Sequence, residues 1–206
     1  NDEVIVFSPY WVSFPEIIRL ADGIPIIVKT LSDKNFAPDW DDLEKKISPK
    51  TAAILLNSPS NPTGSVWNDE TIKKLLTLAA KHNWLVISDE CYERLVYDNQ
   101  YNSPESINSA GANVLTVQSM SKTYAMTGWR IGYTAGDSNI INAMAKIQGQ
   151  ATSCPNSISQ KAAVEALIGD QTEVDQMNKV FAKRRNLMID RLNKINNLSC
   201  SNPGGA

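Results

Sequence analysis

The sequence Ala52-Ala53-Ile54-Leu55-Leu56 is an unbroken apolar run, and Asn57-Ser58-Pro59-Ser60-Asn61-Pro62-Thr63-Gly64 follows it directly. A strand without polar alternation is typical of a parallel sheet, because helices cover both of its faces. The Asn-Pro and Pro-Thr-Gly sequences after the run favour a turn. This stretch therefore predicts a central strand whose carboxyl end opens into a polar loop.

The pattern continues on both sides of this run. Short β-branched or aromatic segments that predict strands lie at residues 4–7, 24–31, 84–88, 114–117 and 130–134. Helical spacing of apolar residues is found at residues 15–21, 39–47, 69–82, 140–148, 159–167 and 173–193. Asn68 is a good N-cap for the third of these helices. The alternation predicts an α/β fold with three layers, α/β/α, and a mostly parallel sheet.

Polar or aromatic side chains follow the predicted strands where ligands bind in open α/β sheets, beyond the carboxyl ends. Tyr10 and Trp11 come after the first strand, and the Asn61 loop after the run at 52–56. Asp89 with Tyr92 follows the next strand, and Ser119-Met120-Ser121-Lys122 the one after it. We expect these groups to meet at one edge of the sheet.

Composition and charge exclude several functions. The net charge is −2 with both signs mixed along the chain, which argues against a nucleic-acid partner. His82 is the only histidine and the three cysteines are widely spaced, so no metal site or disulfide framework is predicted. No apolar run approaches the roughly 20 residues that cross a bilayer, and no leader is visible, so we expect no membrane partner and a cytoplasmic location.

Three motifs have the residues and the order of a known family. They are Asn61-Pro62-Thr63-Gly64, then Ser88-Asp89-Glu90 with Tyr92, then Ser121-Lys122 followed after five residues by Gly128-Trp129-Arg130-Ile131-Gly132. Together they resemble the class I aminotransferases, fold-type I enzymes that use pyridoxal 5′-phosphate (PLP), and most closely the bacterial-type aspartate aminotransferase branch. The resemblance covers nearly the whole chain and implies the large domain of PLP-dependent transferases.

The resemblance implies a role for each residue. Lys122 would carry the coenzyme and, once substrate frees its amine, move a proton at the substrate Cα. Asp89 would pair with the pyridine nitrogen, and Tyr92 and Asn61 would bind the phenolic oxygen. The remaining coenzyme-binding residues would be Arg130 and Ser119 at the phosphate, Ser121 beside the lysine and Trp11 stacked on the ring.

Structural roles are the alternatives for the same residues. Lys122 could be an ordinary surface lysine, and Asp89 could cap a helix that starts near Glu90. Asn61 could serve only as a turn former, and Trp11 as a core or interface residue. The three motifs favour the functional interpretation.

The family also contains parts that these residues lack: a glycine-containing phosphate loop, a small domain with the arginine that binds the substrate α-carboxylate, and a tyrosine from the neighbouring subunit of a homodimer. We therefore expect a longer parent protein, in which residues 1–170 belong to the PLP-binding large domain and residues 171–206 are a helical exit towards the small domain. The resemblance implies transamination of an amino acid with a 2-oxo acid, aspartate with 2-oxoglutarate.

Other functions on related folds stay open. A PLP-dependent carbon–sulfur lyase would keep the same lysine, aspartate and arginine, because the early steps are shared. A coenzyme-binding sensor domain of a transcription regulator would also keep them. A nicotinamide-binding domain is disfavoured, because no G-x-G-x-x-G sequence follows any predicted strand.

Overall fold

A computed structural model describes residues 1–98 and 100–206 of the chain. Its strands are β1 (Glu3–Ser8), β2 (Ile24–Leu31), β3 (Ala37–Pro38), β4 (Thr51–Asn57), β5 (Leu85–Asp89), β6 (Asn113–Ser119) and β7 (Gly132–Ala135). Its helices are α1 (Ser13–Leu20), α2 (Trp40–Lys46), α3 (Asp69–His82), α4 (Met120–Thr123), α5 (Ser138–Ala151), α6 (Ser157–Ile168) and α7 (Thr172–Leu192). Short 3-10 helices lie at Ser32–Lys34, Pro104–Ile107 and Thr127–Trp129.

The strands form one sheet in the order β3-β2-β1-β4-β5-β6-β7. Strands β2, β1, β4, β5 and β6 pair in parallel, whereas β3 and β7 are antiparallel edge strands. The chain builds outward from β1 in both directions, so the order reverses between β1 and β4. Ligands of open α/β sheets bind at such a reversal, beyond the carboxyl ends of the strands.

Alternate side chains of the central strands fill two cores on opposite faces of the sheet. Ile5, Ile54 and Val86 are fully buried on the face covered by α2 and α3. Val6 points the other way and packs on Phe14 of α1. A strand that buries both faces must be apolar throughout, which is why the run at 52–56 shows no alternation.

The caps of α3 follow the sequence prediction. The Asn68 side-chain oxygen accepts a hydrogen bond from the Thr71 amide at 2.9 Å, which satisfies one of the free amides of the first turn. Asn83 ends the helix in the left-handed conformation, with φ of 55°. Ile72, Leu75, Leu76 and Ala79 are buried against the sheet, as the helical spacing predicts.

The predicted three-layer α/β/α architecture with a mostly parallel sheet is confirmed, with two local corrections. The strand predicted at residues 130–134 begins only at Gly132, and Arg130 precedes it in the left-handed conformation, with φ of 52°. The helix near Glu90, which the alternative structural role of Asp89 would require, is absent from the described residues, where residues 91–94 form turns. In both places the segment is too short for periodicity to distinguish a turn from a regular element.

Much of the carboxyl-terminal half is exposed. Helix α5 buries none of its residues, and large apolar side chains on α5 and α6 face solvent. Among the residues that the structure describes, no helix combines the length and the apolar character needed to cross a membrane.

Candidate functional site

A cavity of about 310 Å³ opens at the carboxyl ends of β4, β5 and β6. It is lined by Trp11, Asn57, Asn61, Asp89, Cys91, Tyr92, Val117, Gln118, Ser119, Ser121, Lys122, Thr127 and Arg130. All eight residues singled out in the sequence lie in this lining, although they are spread over 120 positions from Trp11 to Arg130. The parallel strands bring them together because their carboxyl ends share one edge of the sheet.

Asn57 connects two parts of the site. It is paired in register with Asp89 on the neighbouring strand, and its side-chain amide donates to the Asp89 carbonyl at 3.2 Å. Its side-chain oxygen accepts from the Asn61 amide at 2.9 Å. One amide side chain therefore fixes the Asn61 turn relative to the end of β5. Its role was not predicted, because a strand-end asparagine has no distinctive sequence signal.

Asp89 is the acidic group of the cavity. One of its carboxylate oxygens accepts from the Cys91 amide at 3.1 Å, so it stabilises the turn after β5. Burial raises the pKa of Asp89, because removal of water penalises the charged form, and hydrogen bonds from Cys91 oppose that rise. No ion pair in the described part of the chain includes Asp89. The carboxyl is thus a partly buried acceptor that a ligand cation could pair with.

Lys122 lies on the short helix α4, directly beyond β6. Met120 and Thr123 are buried beneath it and anchor the helix. The Ser119 hydroxyl oxygen accepts from the Ser121 amide at 3.1 Å and so caps α4. The Lys122 ammonium lies 5.8 Å from the centre of the Tyr92 ring, and it forms no ion pair with any described residue. A lysine amine is therefore presented to the cavity without an anionic partner.

Arg130 also lines the cavity, from the segment that connects α4 to β7. Its guanidinium donates to the Thr127 carbonyl at 3.0 Å, and the Thr127 hydroxyl donates to the Ser121 carbonyl at 3.1 Å. Gly132 lets β7 begin close to β6, since a Cβ there would lie 2.4 Å from the Gln118 carbonyl oxygen. The guanidinium keeps donors free for an anion, and the nearby hydroxyls of Ser119 and Ser121 could add to them.

Two aromatic side chains complete the wall. Burial raises the pKa of the Tyr92 phenol, and a hydrogen bond from the Asn61 side chain opposes that rise. Trp11 packs edge-on against Phe14 with ring centres 5.4 Å apart, and 42% of it remains exposed. Its indole therefore has surface available for a flat ligand.

The donors and acceptors fit pyridoxal phosphate as a set. The cavity offers an amine for an aldehyde, a carboxyl for a ring nitrogen, a phenol and amide for a ring oxygen, and a guanidinium with hydroxyls for a phosphate. Five lining residues were not predicted as site residues: Asn57, Cys91, Val117, Gln118 and Thr127. Cys91 and Gln118 could have been found by reading one position beyond or before each motif.

Comparison with known proteins defines the family. The family described as "Aminotransferase class I and II" matches residues 1–206, so the chain belongs to the class I and II aminotransferases, whose coenzyme is pyridoxal 5′-phosphate. The chain is 41% identical over its full length to an aspartate/prephenate aminotransferase of Thermus thermophilus and 41% identical to an aspartate aminotransferase of Geobacillus stearothermophilus. It covers 54% and 53% of these proteins, so it spans about half the length of its curated relatives.

The fold agrees with this assignment. A solved structure of a Thermus thermophilus aspartate aminotransferase double mutant superposes with a TM-score of 0.95 at 41% identity, covering all of this chain and 54% of that one. The predicted fold class, the large domain of PLP-dependent transferases, is confirmed.

Proposed function

We propose that this chain is the coenzyme-binding part of a PLP-dependent aminotransferase. The observation that carries the proposal is the single cavity in which Lys122, Asp89 and Arg130 converge. Residues 1–170 would form the greater part of the large domain, and residues 171–206 would lead towards a further domain. Since the chain spans about half of its relatives, we propose that it binds coenzyme but does not complete turnover alone, and that the whole protein works as a homodimer.

Lys122 is the proposed catalytic residue. Its amine would hold the coenzyme aldehyde covalently until an amino acid substrate displaces it. The freed Nζ would then lie beside the substrate Cα, where it can remove a proton and later return one. The exposed position of Lys122 on α4 leaves room for this exchange.

The other residues would hold the coenzyme and set its electronics. Bound PLP supplies an electron-accepting ring, and Asp89 would keep the ring nitrogen protonated. Tyr92 and Asn61 would donate to the phenolic oxygen. Arg130, Ser119 and Ser121 would bind the phosphate, and Trp11 would cover one face of the ring.

For the substrates we propose aspartate and 2-oxoglutarate. The support is the sequence around Ser8-Pro9-Tyr10-Trp11 and Met126-Thr127-Gly128-Trp129-Arg130, together with relatives named as aspartate aminotransferases. The name of the Thermus thermophilus relative also includes prephenate. Product analysis of the whole protein would show whether aspartate or prephenate is the preferred substrate, and it would also separate transamination from lyase chemistry.

The first test is identification of the lysine that captures the coenzyme. The protein is mixed with PLP, reduced with borohydride, digested and analysed by mass spectrometry. Label should concentrate on Lys122 and be lost in Lys122→Ala, while Lys146→Ala, which removes a lysine of α5, should leave the labelling unchanged. Label spread over many lysines in the wild-type protein would contradict the proposal.

A further inference from the structure

Glu90 is a buried carboxyl directly behind the proposed site. It follows Asp89 at the end of β5 and has 0% exposure, which is rare for glutamate without a cationic partner. Its amide donates to the Val117 carbonyl of β6 at 2.9 Å, so it continues the pairing of the two strands. It does not line the cavity and has no place in the chemistry described so far.

The hydrogen bonds of this carboxyl are unequal. Its Oε1 accepts from three hydroxyls, those of Ser88 at 2.9 Å, Ser103 at 3.0 Å and Thr116 at 3.3 Å. Its Oε2 is buried and has no partner among the described residues, and neither does the buried hydroxyl of Tyr101. A carboxylic acid has this division, with a carbonyl oxygen that accepts and a second oxygen that carries the proton.

The charges around Glu90 favour the neutral form. Asp89 precedes it, Glu93 comes from the following turn, Tyr101 adjoins the carboxyl, and Tyr133 of β7 is near enough for a charge on Glu90 to raise the pKa of its phenol. None of these groups is a cation, and no ion pair in residues 1–98 and 100–206 involves Glu90. Burial raises the pKa of Glu90, and the nearby Glu93 carboxylate adds to that rise. The hydroxyls of Ser88, Ser103 and Tyr101 oppose the rise, but the pKa stays above its usual value. The Tyr101 hydroxyl offers an acceptor for the acid proton.

We propose that Glu90 is a neutral carboxylic acid and the positioning residue for Asp89. Through its three hydroxyl partners it ties β5 to β6 and to the segment before residue 104, and so fixes the strand end that carries Asp89. As a neutral group it leaves Asp89 as the acid that ionises opposite the coenzyme nitrogen, because a second negative charge one residue away would disfavour that ionisation. This second part rests on the proposed function.

The test uses two substitutions and a matched control. Glu90→Gln keeps one acceptor and one donor in the same shape, whereas Glu90→Leu leaves three hydroxyls without an acceptor. Leu43→Ala removes a fully buried side chain from α2, which packs against β2 rather than against β5 or β6. It controls for loss of stability alone. The protonation state is read directly from protein carrying 13C-labelled glutamate carboxyls, in which the signal missing from Glu90→Gln belongs to Glu90.

The expected results follow from this geometry. The Glu90 signal should stay at the position of a protonated acid between about pH 5 and pH 7. Glu90→Gln should keep the PLP dissociation constant within about twofold, and Glu90→Leu should weaken it about tenfold, the cost of losing one buried acceptor. Leu43→Ala should lower the melting temperature without changing coenzyme affinity.

Three outcomes would overturn the proposal: an ionised Glu90 signal at neutral pH, a Glu90→Gln variant as weak as Glu90→Leu, or equal weakening in Leu43→Ala and Glu90→Leu. If Glu90→Leu does not fold, the proposal is tested by the 13C signal of the Glu90 carboxyl and by the coenzyme affinity of Glu90→Gln. If wild-type protein captures no coenzyme, the proposed function fails by itself, and the carboxyl signal still accepts or rejects the neutral acid.

Discussion

Asp89 should make coenzyme binding depend on pH. Burial raises its pKa, so its ionised fraction falls as the pH is lowered through that raised value. A ring nitrogen that carries a proton binds the ionised carboxyl, hence PLP affinity should fall on acidification. Asp89→Asn should weaken binding at neutral pH by about 1.5–3 kcal/mol, the range for hydrogen bonds to charged groups.

The measurement is a series of PLP titrations from about pH 5 to pH 8 with both proteins, a range that contains the second phosphate ionisation near pH 6. The coenzyme's own ionisations affect both proteins equally, so the difference between the two curves belongs to Asp89. If the curves run parallel across the whole range, Asp89 does not pair with the ring nitrogen.

Glu90 should make the stability of the protein depend on pH in the opposite sense to a salt-bridged acid. Its folded-state pKa is raised, so the folded protein keeps a proton that the unfolded chain releases above about pH 4.3. Stability therefore falls as pH rises from there to the folded pKa, by up to about 1.4 kcal/mol per pH unit. The melting temperature of Glu90→Gln, relative to wild type, should rise with pH over this window.

Calorimetry or circular dichroism at a series of pH values gives these melting temperatures. Glu165→Gln, a substitution of an exposed glutamate on α6, removes one charge elsewhere and should follow the wild-type curve. A constant difference between Glu90→Gln and wild type would mean that Glu90 titrates alike in the folded and unfolded protein.

At the level of secondary structure, the sequence predicts elements well where a β-branched run or a helical spacing of apolar residues extends over several residues. β2 has the predicted bounds, and β4 and α3 differ by a residue or less at each end. β3 has two residues and α4 has four, so neither can show a period. Arg130 was assigned to a strand because its neighbours are strand-like, whereas its left-handed backbone is set by the turn that brings it towards Thr127.

Arg185, near the middle of α7, ties this helix to two other segments, in addition to the contacts of Asp175 with Arg94 and of Asn178 with Val96. The Arg185 guanidinium forms a two-pronged pair with Asp98 and donates to the Pro203 carbonyl at 2.9 Å, and its side chain is only 8% exposed. Residues 204 and 205 in turn pair with Tyr97 and Gly64, beside the Asn61 turn. Loss of this contact should therefore free both α7 and the segment at 203–206.

Arg185→Ala should lower the free energy of local opening by about 1–2 kcal/mol in residues 172–192 and 203–206. Amide hydrogen exchange in these residues should therefore become faster. Exchange in β1, β4 and β5 should not change, because the core strands open only globally. Arg184→Ala, one residue earlier and exposed, is the matched control and should leave exchange unaltered. Equal acceleration in both variants would remove the proposed role of Arg185.

At the level of the whole molecule, the candidate site depends on strand order more than on any single motif. The motifs predict which residue types belong together, and strand periodicity predicts that each lies at a strand end. Neither predicts that the Asn57 side chain would bridge Asp89 and Asn61. Those contacts follow from the register of β4, β5 and β6, which one sequence does not determine.

Stability should be distributed unevenly over the molecule, because α3 and α5 have equal length but very different burial. Each has 14 residues, and Ile72 on α3 is 1% exposed whereas Ile147 on α5 is 71% exposed. Ile147→Glu removes almost no buried apolar surface, so it should change the free energy of unfolding by less than about 0.5 kcal/mol. Ile72→Glu places a charge in the core and should prevent stable folding.

The same pair tests whether the apolar side chains of α5 meet solvent. A dye such as ANS, which fluoresces on exposed apolar surface, should bind less to Ile147→Glu than to wild type while the melting temperature stays constant. If Ile147→Glu also fails to fold stably, or loses several kcal/mol of stability, Ile147 is buried in solution, and its exposed position on α5 would be wrong. Because both substitutions exchange the same two residue types within helices of the same length, helix propensity cancels and burial alone separates the outcomes.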